Sequence, residues 1–144
     1  MKMQRSSQQG IALLEAMIAT VILAIGLLGT IGLQARAYSA MNEASMRAEA
    51  TIASEKLIGL MSTDVAHIGD YAKTPTGAAG TVLAKWDSET KDAIPSAVTS
   101  VTVTPNSSGT NSTAVTVVIK WQRKAGDAST ANTSTVTSYL SGST

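Results

Sequence analysis

Residues Ile11 to Leu33 form a run of about twenty-three residues that is apolar except for one carboxylate, Glu15, and two threonines. As a helix rising about 1.5 Å per residue, the run is long enough to cross a hydrocarbon core of about 30 Å. A carboxylate inside such a span is costly, on the order of 2.5–3.5 kcal/mol even on the most lenient insertion scale. A short polar leader precedes the run, carrying Lys2 and Arg5 and ending in Gln8-Gln9-Gly10. A cut after Gly10 would give Ile11 a free α-ammonium four residues ahead of Glu15. Helical positions i and i+4 share a face. The ammonium and the carboxylate could then pair, within one subunit or between packed neighbours, and pairing offsets the burial cost.

The residues around that junction carry a resemblance. Gly10-Ile11-Ala12-Leu13-Leu14-Glu15 resembles the prepilin peptidase site of type IV pilins, G-F-T-L-x-E, with Ile11 in place of phenylalanine and Ala12 in place of threonine. The stretch Ala19 to Gly29, with its V-I-L-A-I-G-L-L-G core, is similar to PilV-like minor pilins. The resemblance implies cleavage between Gly10 and Ile11, N-methylation of Ile11, and an assembly role for Glu15 toward a neighbour's terminal amine. Two other readings compete. Ala35-Arg36-Ala37 loosely fits an A-x-A signal cut and would release a soluble domain starting at Tyr38. A plain uncleaved anchor is the other. Neither has a use for an intramembrane glutamate, so the pilin-type cut is preferred.

The helical signal persists past the apolar run. Gln34 to Met61 contains no proline and one glycine, and is rich in Ala, Met, Glu and Arg. Tyr38, Met41, Ser45, Ala48 and Ile52 recur at three-and-four spacing and suggest the stripe on which a small domain packs. Glu43 and Arg47 stand four apart and suggest a surface pair. Gly26, Gly29 and Gly32 interrupt helix propensity. They suggest a flexible point or close helix packing in an assembly, against the plainer reading of a membrane helix that tolerates glycine.

Ser62 to Gly80 is turn-rich and reads as loop. Leu83, Trp86, Thr90 and Ile94 fall near helical spacing, and Pro95 bounds that segment. A strand through Val82, Ala84 and Trp86 is the competing reading. The last third alternates: Val101 and Val103 with threonine, then Val115, Val117, Ile119 and Trp121 with polar neighbours, then Val136 to Leu140. Turns are expected at 105–109 and 124–127. A three-stranded antiparallel meander packed on the helix follows, with Trp121 facing inward on the central strand. The fold class expected is therefore α+β. The resemblance makes it the type IV pilin fold, with leader 1–10, membrane or filament-core helix 11–33, amphipathic helix half 34–62, and head 63–144. Trp86 followed by Ala93-Ile94-Pro95, and the V-x-V-x-W pattern ending at Trp121, are similar to the same family.

Chemistry-bearing patterns are few. The chain of 144 residues has a formal net charge of +1, no cysteine and one histidine, His67. That charge gives no strong pull on nucleic acid. Without cysteine there is neither a disulfide framework nor a thiolate nucleophile. Ser-His-Asp catalysis would rest on His67 alone, between Asp64 and Asp70 in a loop. Asp87, Glu89 and Asp92 lack the ligand spacing of calcium loops. No glycine-rich phosphate loop is present. Asn-x-Ser/Thr triplets at Asn106, Asn111 and Asn132 arise readily in Ser/Thr-rich turns and predict no glycosylation. No enzyme, cofactor, metal or small-molecule substrate is expected.

The resemblance thus implies a minor pilin that primes or modifies type IV pilus assembly, at or near the tip. Its partners would be the prepilin peptidase and other minor and major pilins. It would sit as a single pass in the inner membrane with a periplasmic head, then in the pilus. A type II secretion pseudopilin and a secreted binding domain or adhesin released at Ala37 are the alternatives.

Overall fold

The computed structural model describes residues 8–105, 112–122 and 131–141. One helix, α1, runs Gln8–Thr63, followed by a 3-10 helix Val65–Tyr71 and a second α-helix, α2, Thr81–Ala93. Three strands complete the chain: β1 Val98–Pro105, β2 Ser112–Gln122 and β3 Ala131–Ser141. They form one antiparallel sheet in the order β1-β2-β3. A long N-terminal helix followed by a small three-stranded sheet is α+β, consistent with the type IV pilin fold expected from the sequence. Of the turns expected at 105–109 and 124–127, Pro105 is the last residue of β1 and the rest lie outside the described residues.

The chain divides into two compact units, 1–42 and 43–144. In the first, the side chains described from Gly10 to Asn42 are exposed, apart from an intermediate Ser39. Thr20 and Thr30 donate their hydroxyls to the carbonyls of Met17 and Leu27, each at 2.8 Å. The helix thereby satisfies its own hydroxyls, which an apolar solvent demands.

The second unit is built around one apolar core. α1 contributes Ala50, Leu57 and Met61; α2 contributes Leu83 and Trp86; the sheet contributes Val101, Val115, Val117, Ile119, Trp121 and Leu140. Trp121 is 1% exposed, on the inner face of the central strand as its alternation predicts. The α2 spacing is likewise confirmed: Leu83, Trp86, Thr90 and Ile94 are all buried, which displaces the competing strand. Trp86 also donates Nε1–H to the Ala53 carbonyl at 2.8 Å, joining α2 to α1.

Two expectations are corrected. The stripe read as Tyr38, Met41, Ser45, Ala48 and Ile52 is exposed, with Tyr38 at 69% and Ile52 at 57%. The buried face of α1 instead carries Ala50, Ser54, Leu57 and Met61. Ser54 sits there because its hydroxyl bonds the Ala50 carbonyl at 2.8 Å, so it arrives in the core already satisfied. The stretch read as loop from Ser62 begins as the last turn of α1 and contains the 3-10 helix. A genuine turn follows at Thr74 to Gly77, closed by Gly77 N–H to the Thr74 carbonyl at 3.1 Å. A Cβ on Gly77 would lie 2.5 Å from the Thr74 Oγ1, so another residue there would require the Thr74 side chain to turn away.

Candidate functional site

Gly10, Ile11 and Glu15 lie in the first turns of α1, all exposed. Among the described residues no cation of the chain pairs with Glu15. While the Gly10–Ile11 bond is intact, the Ile11 nitrogen is an amide and cannot supply that charge. Cleavage would create the ammonium one helical turn from the carboxylate. The helix is continuous through Gly26, Gly29 and Gly32, and a Cβ at any of the three would meet nothing within 4 Å. Close packing inside this chain therefore does not require them. α1 is long and apolar enough to cross a membrane, and its most apolar stretch is unburied.

The head holds a polar cluster that sequence reasoning missed. Lys73, after the 3-10 helix, donates Nζ–H to both the carbonyl and the Oγ1 of Thr99 at 2.9 Å. Thr99 in turn donates its hydroxyl to Asp87 Oδ1, which also lies 3.6 Å from Lys73 Nζ. Lys91 donates to Asp87 Oδ2 at 2.6 Å. The Lys73 side chain is 2% exposed and that of Asp87 10%. Burial pushes the Asp87 carboxyl up, but the hydrogen bonds from Lys91 and Thr99 and the charges of Lys73 and Lys91 outweigh it. The net result is a carboxyl held below the ordinary aspartate value. Both lysines pair with the one carboxylate of Asp87, so the cluster ties the post-helix loop, α2 and β1 together. Asp87 is thereby committed to lysines.

His67 is exposed, with Nδ1 2.8 Å from Asp64 Oδ1. That hydrogen bond, then the charges of Asp64 and Asp70, raise its pKa above the ordinary histidine value. Tyr71 donates its hydroxyl to Asp64 Oδ2 at 3.3 Å. Among the described residues no group of three or more His, Asp or Glu side chains converges as a metal site would require. Glu43 and Arg47 pair at 2.8 Å, as their spacing suggests.

With this geometry in place, the N-terminal segment has a counterpart among known proteins. Residues 5–31 match the prokaryotic N-terminal methylation motif. No curated protein and no solved structure matches the chain. The motif contains Gly10, Ile11, Glu15, Gly26 and Gly29. It supports a pilin-type protein and implies processing by a prepilin peptidase. The apolar helix that carries it is consistent with membrane anchoring.

Proposed function

We propose that the chain is a minor pilin of the PilV-like kind, which primes or modifies assembly of a type IV pilus at or near its tip. The observation that carries this reading is Glu15. It is a carboxylate without an opposite charge among the described residues, set in an unburied apolar helix, at the fifth position after Gly10 within the methylation motif. In this reading the precursor is held in the inner membrane with its head in the periplasm. The peptidase cuts after Gly10 and methylates Ile11. Subunits then associate through the apolar helices, where Glu15 meets the terminal amine of a neighbouring subunit. The long apolar surface is covered first by lipid and then by other pilin helices. Gly26, Gly29 and Gly32 allow neighbouring helices to approach closely, since nothing in their own chain fills that space.

Intact mass and N-terminal sequencing of the membrane-held protein test the first step. A mature start at Ile11 is expected, and Gly10→Trp should leave an uncleaved precursor in the membrane. Retention of Met1 in the wild type, or a start at Tyr38, would overturn the reading. Recovery of the mature protein in sheared pili, with flanking minor pilin genes, separates a pilus subunit from a secretion pseudopilin.

A further inference from the structure

The sheet has two edges, and they are treated differently. β1 is closed by a reciprocal backbone pair: Lys73 N–H to the Val101 carbonyl and Val101 N–H to the Lys73 carbonyl, both 2.9 Å. It also ends in Pro105, which cannot donate to a ladder. Among the described residues β3 has β2 on one side and no strand on the other. Its eleven residues, Ala131–Ser141, include no charged residue, no proline and no glycine. Its register with β2 runs unbroken from Gln122↔Ala131 to Ser112↔Ser141, so no bulge bends it away. Charge, proline and bulges are among the devices that keep a sheet edge from pairing, and the described residues of β3 carry none of them; α1 reaches only the start of the strand, where Arg47 donates to Asn132 Oδ1 at 3.4 Å, away from Val136.

The sequence of β3 says what suits this edge. Ser134-Thr135-Val136-Thr137-Ser138 reads the same in both directions. In an antiparallel pairing centred on Val136, valine faces valine, Thr135 faces Thr137, and Ser134 faces Ser138. Each residue also stays on its own face, because the alternation has period two. The exposed threonines would repeat a contact already made inside the sheet, where the Thr116 and Thr137 hydroxyls lie 3.1 Å apart. No charge opposes another.

We propose that β3 is a homotypic docking edge that pairs antiparallel with β3 of a second copy about Val136, giving one continuous six-stranded sheet. Such a contact is isologous and closes on itself, so it makes a dimer and does not propagate. Its two-fold axis stands normal to the sheet. It therefore reverses every direction lying in the plane of the sheet, that of the strands included. This inference does not rest on the pilus reading.

The chain has no cysteine, so single-cysteine variants report cleanly. Facing Cα atoms in an antiparallel pair lie about 4.5–5.5 Å apart, within disulfide reach. Full-length Thr135→Cys and Thr137→Cys proteins, purified in detergent where copies turn freely, are mixed and oxidised with copper–phenanthroline. The mixture should give a disulfide dimer of one of each. Either variant alone should not, because its thiols are two residues out of register. Val136→Cys alone should cross-link at the axis. Adding Thr135→Lys and Thr137→Lys to Val136→Cys places cations opposite one another on the exposed face. That dimer should then be lost while the head keeps a cooperative unfolding transition, its midpoint lowered only by the lost Thr116–Thr137 contact. No dimer from the mixture, equal dimer from the single variants, or survival of the Val136→Cys dimer with both lysines would overturn the proposal.

Discussion

Trp121 offers the sharpest test of the head. Its side chain is 1% exposed, on the inner face of β2, in the core that also holds Val115, Val117 and Ile119 and apolar residues of α1 and α2. A buried tryptophan removes roughly 150–250 Å² from water, which at about 25 cal/mol per Å² is worth about 4–6 kcal/mol. One feature offsets this: Nε1 has no hydrogen-bond partner among the described residues. An unpaired buried donor costs about 1–3 kcal/mol. A cavity left by truncation adds to the loss, so Trp121→Ala should cost about 3–5 kcal/mol. That is a large part of the 5–15 kcal/mol typical of a whole domain, and should lower the melting midpoint by more than about 10 °C. Trp121→Phe keeps most of the ring and discards the orphan N–H, so its cost should be less than half as large. The assay is thermal unfolding of the full-length protein in detergent, followed by tryptophan emission, which in both variants comes from Trp86 alone. Trp86 is 3% exposed and bonded to the Ala53 carbonyl, so its signal reports the head and not the apolar helix. A shift below about 5 °C for Trp121→Ala would refute the packing argument. Equal shifts for alanine and phenylalanine would show that the N–H carries the stability instead.

The remaining expectations concern charges. Because the folded Asp87 carboxyl lies below its ordinary value, its contribution is fully present above that value and is lost as pH falls through the folded one. An acid titration of head stability should therefore lose its steepest component in Asp87→Asn, which also leaves Lys73 buried without its counter-charge and lowers stability at neutral pH. His67 should titrate by NMR above the ordinary histidine value and return toward it in Asp64→Asn; its raised value stabilises at low pH and the gain is lost as pH rises through it. The Lys56–Glu89 pair at 2.5 Å is roughly half exposed on both sides, so Glu89→Gln should change stability by no more than about 1 kcal/mol in chemical denaturation.

Much of this fold can be read in the chain, for identifiable reasons. The N-terminal helix is legible because a run of twenty-three residues, apolar but for Glu15 and two threonines, admits few alternatives. The meander is legible because Val115, Val117, Ile119 and Trp121 alternate with polar neighbours over a full strand. α2 is legible because four buried residues keep helical spacing up to a proline. The buried face of α1 is not. Along residues 38–61 apolar and small side chains occur on more than one face, so periodicity admits two stripes. Only the tertiary partners choose Ala50, Ser54, Leu57 and Met61. Tyr38 and Ile52, bulkier and more tempting, stay exposed. The Lys73–Asp87 cluster leaves no local signal, since its members come from a loop, a helix and a strand. The left-handed Ser96, at φ 61, is likewise silent, because the turn after Pro95 takes a serine where glycine would have advertised it. At the candidate site the reverse holds. Gly10, Ile11 and Glu15 are legible in sequence, while the chain by itself gives the carboxylate no opposite charge among the described residues.

The most direct test of the central claim is therefore Glu15→Ala. Alanine is cheaper than a carboxylate in a bilayer, and the change lies outside the Gly10–Ile11 bond, so insertion and cleavage should be spared. Mutant and wild-type protein are quantified in membranes and in sheared pili from the same cells. Mature mutant protein should stand in the membrane at wild-type level and be lost from the pili. Equal incorporation of mutant and wild type would contradict that claim, and would show that Glu15 is not the group that docks one subunit on the next.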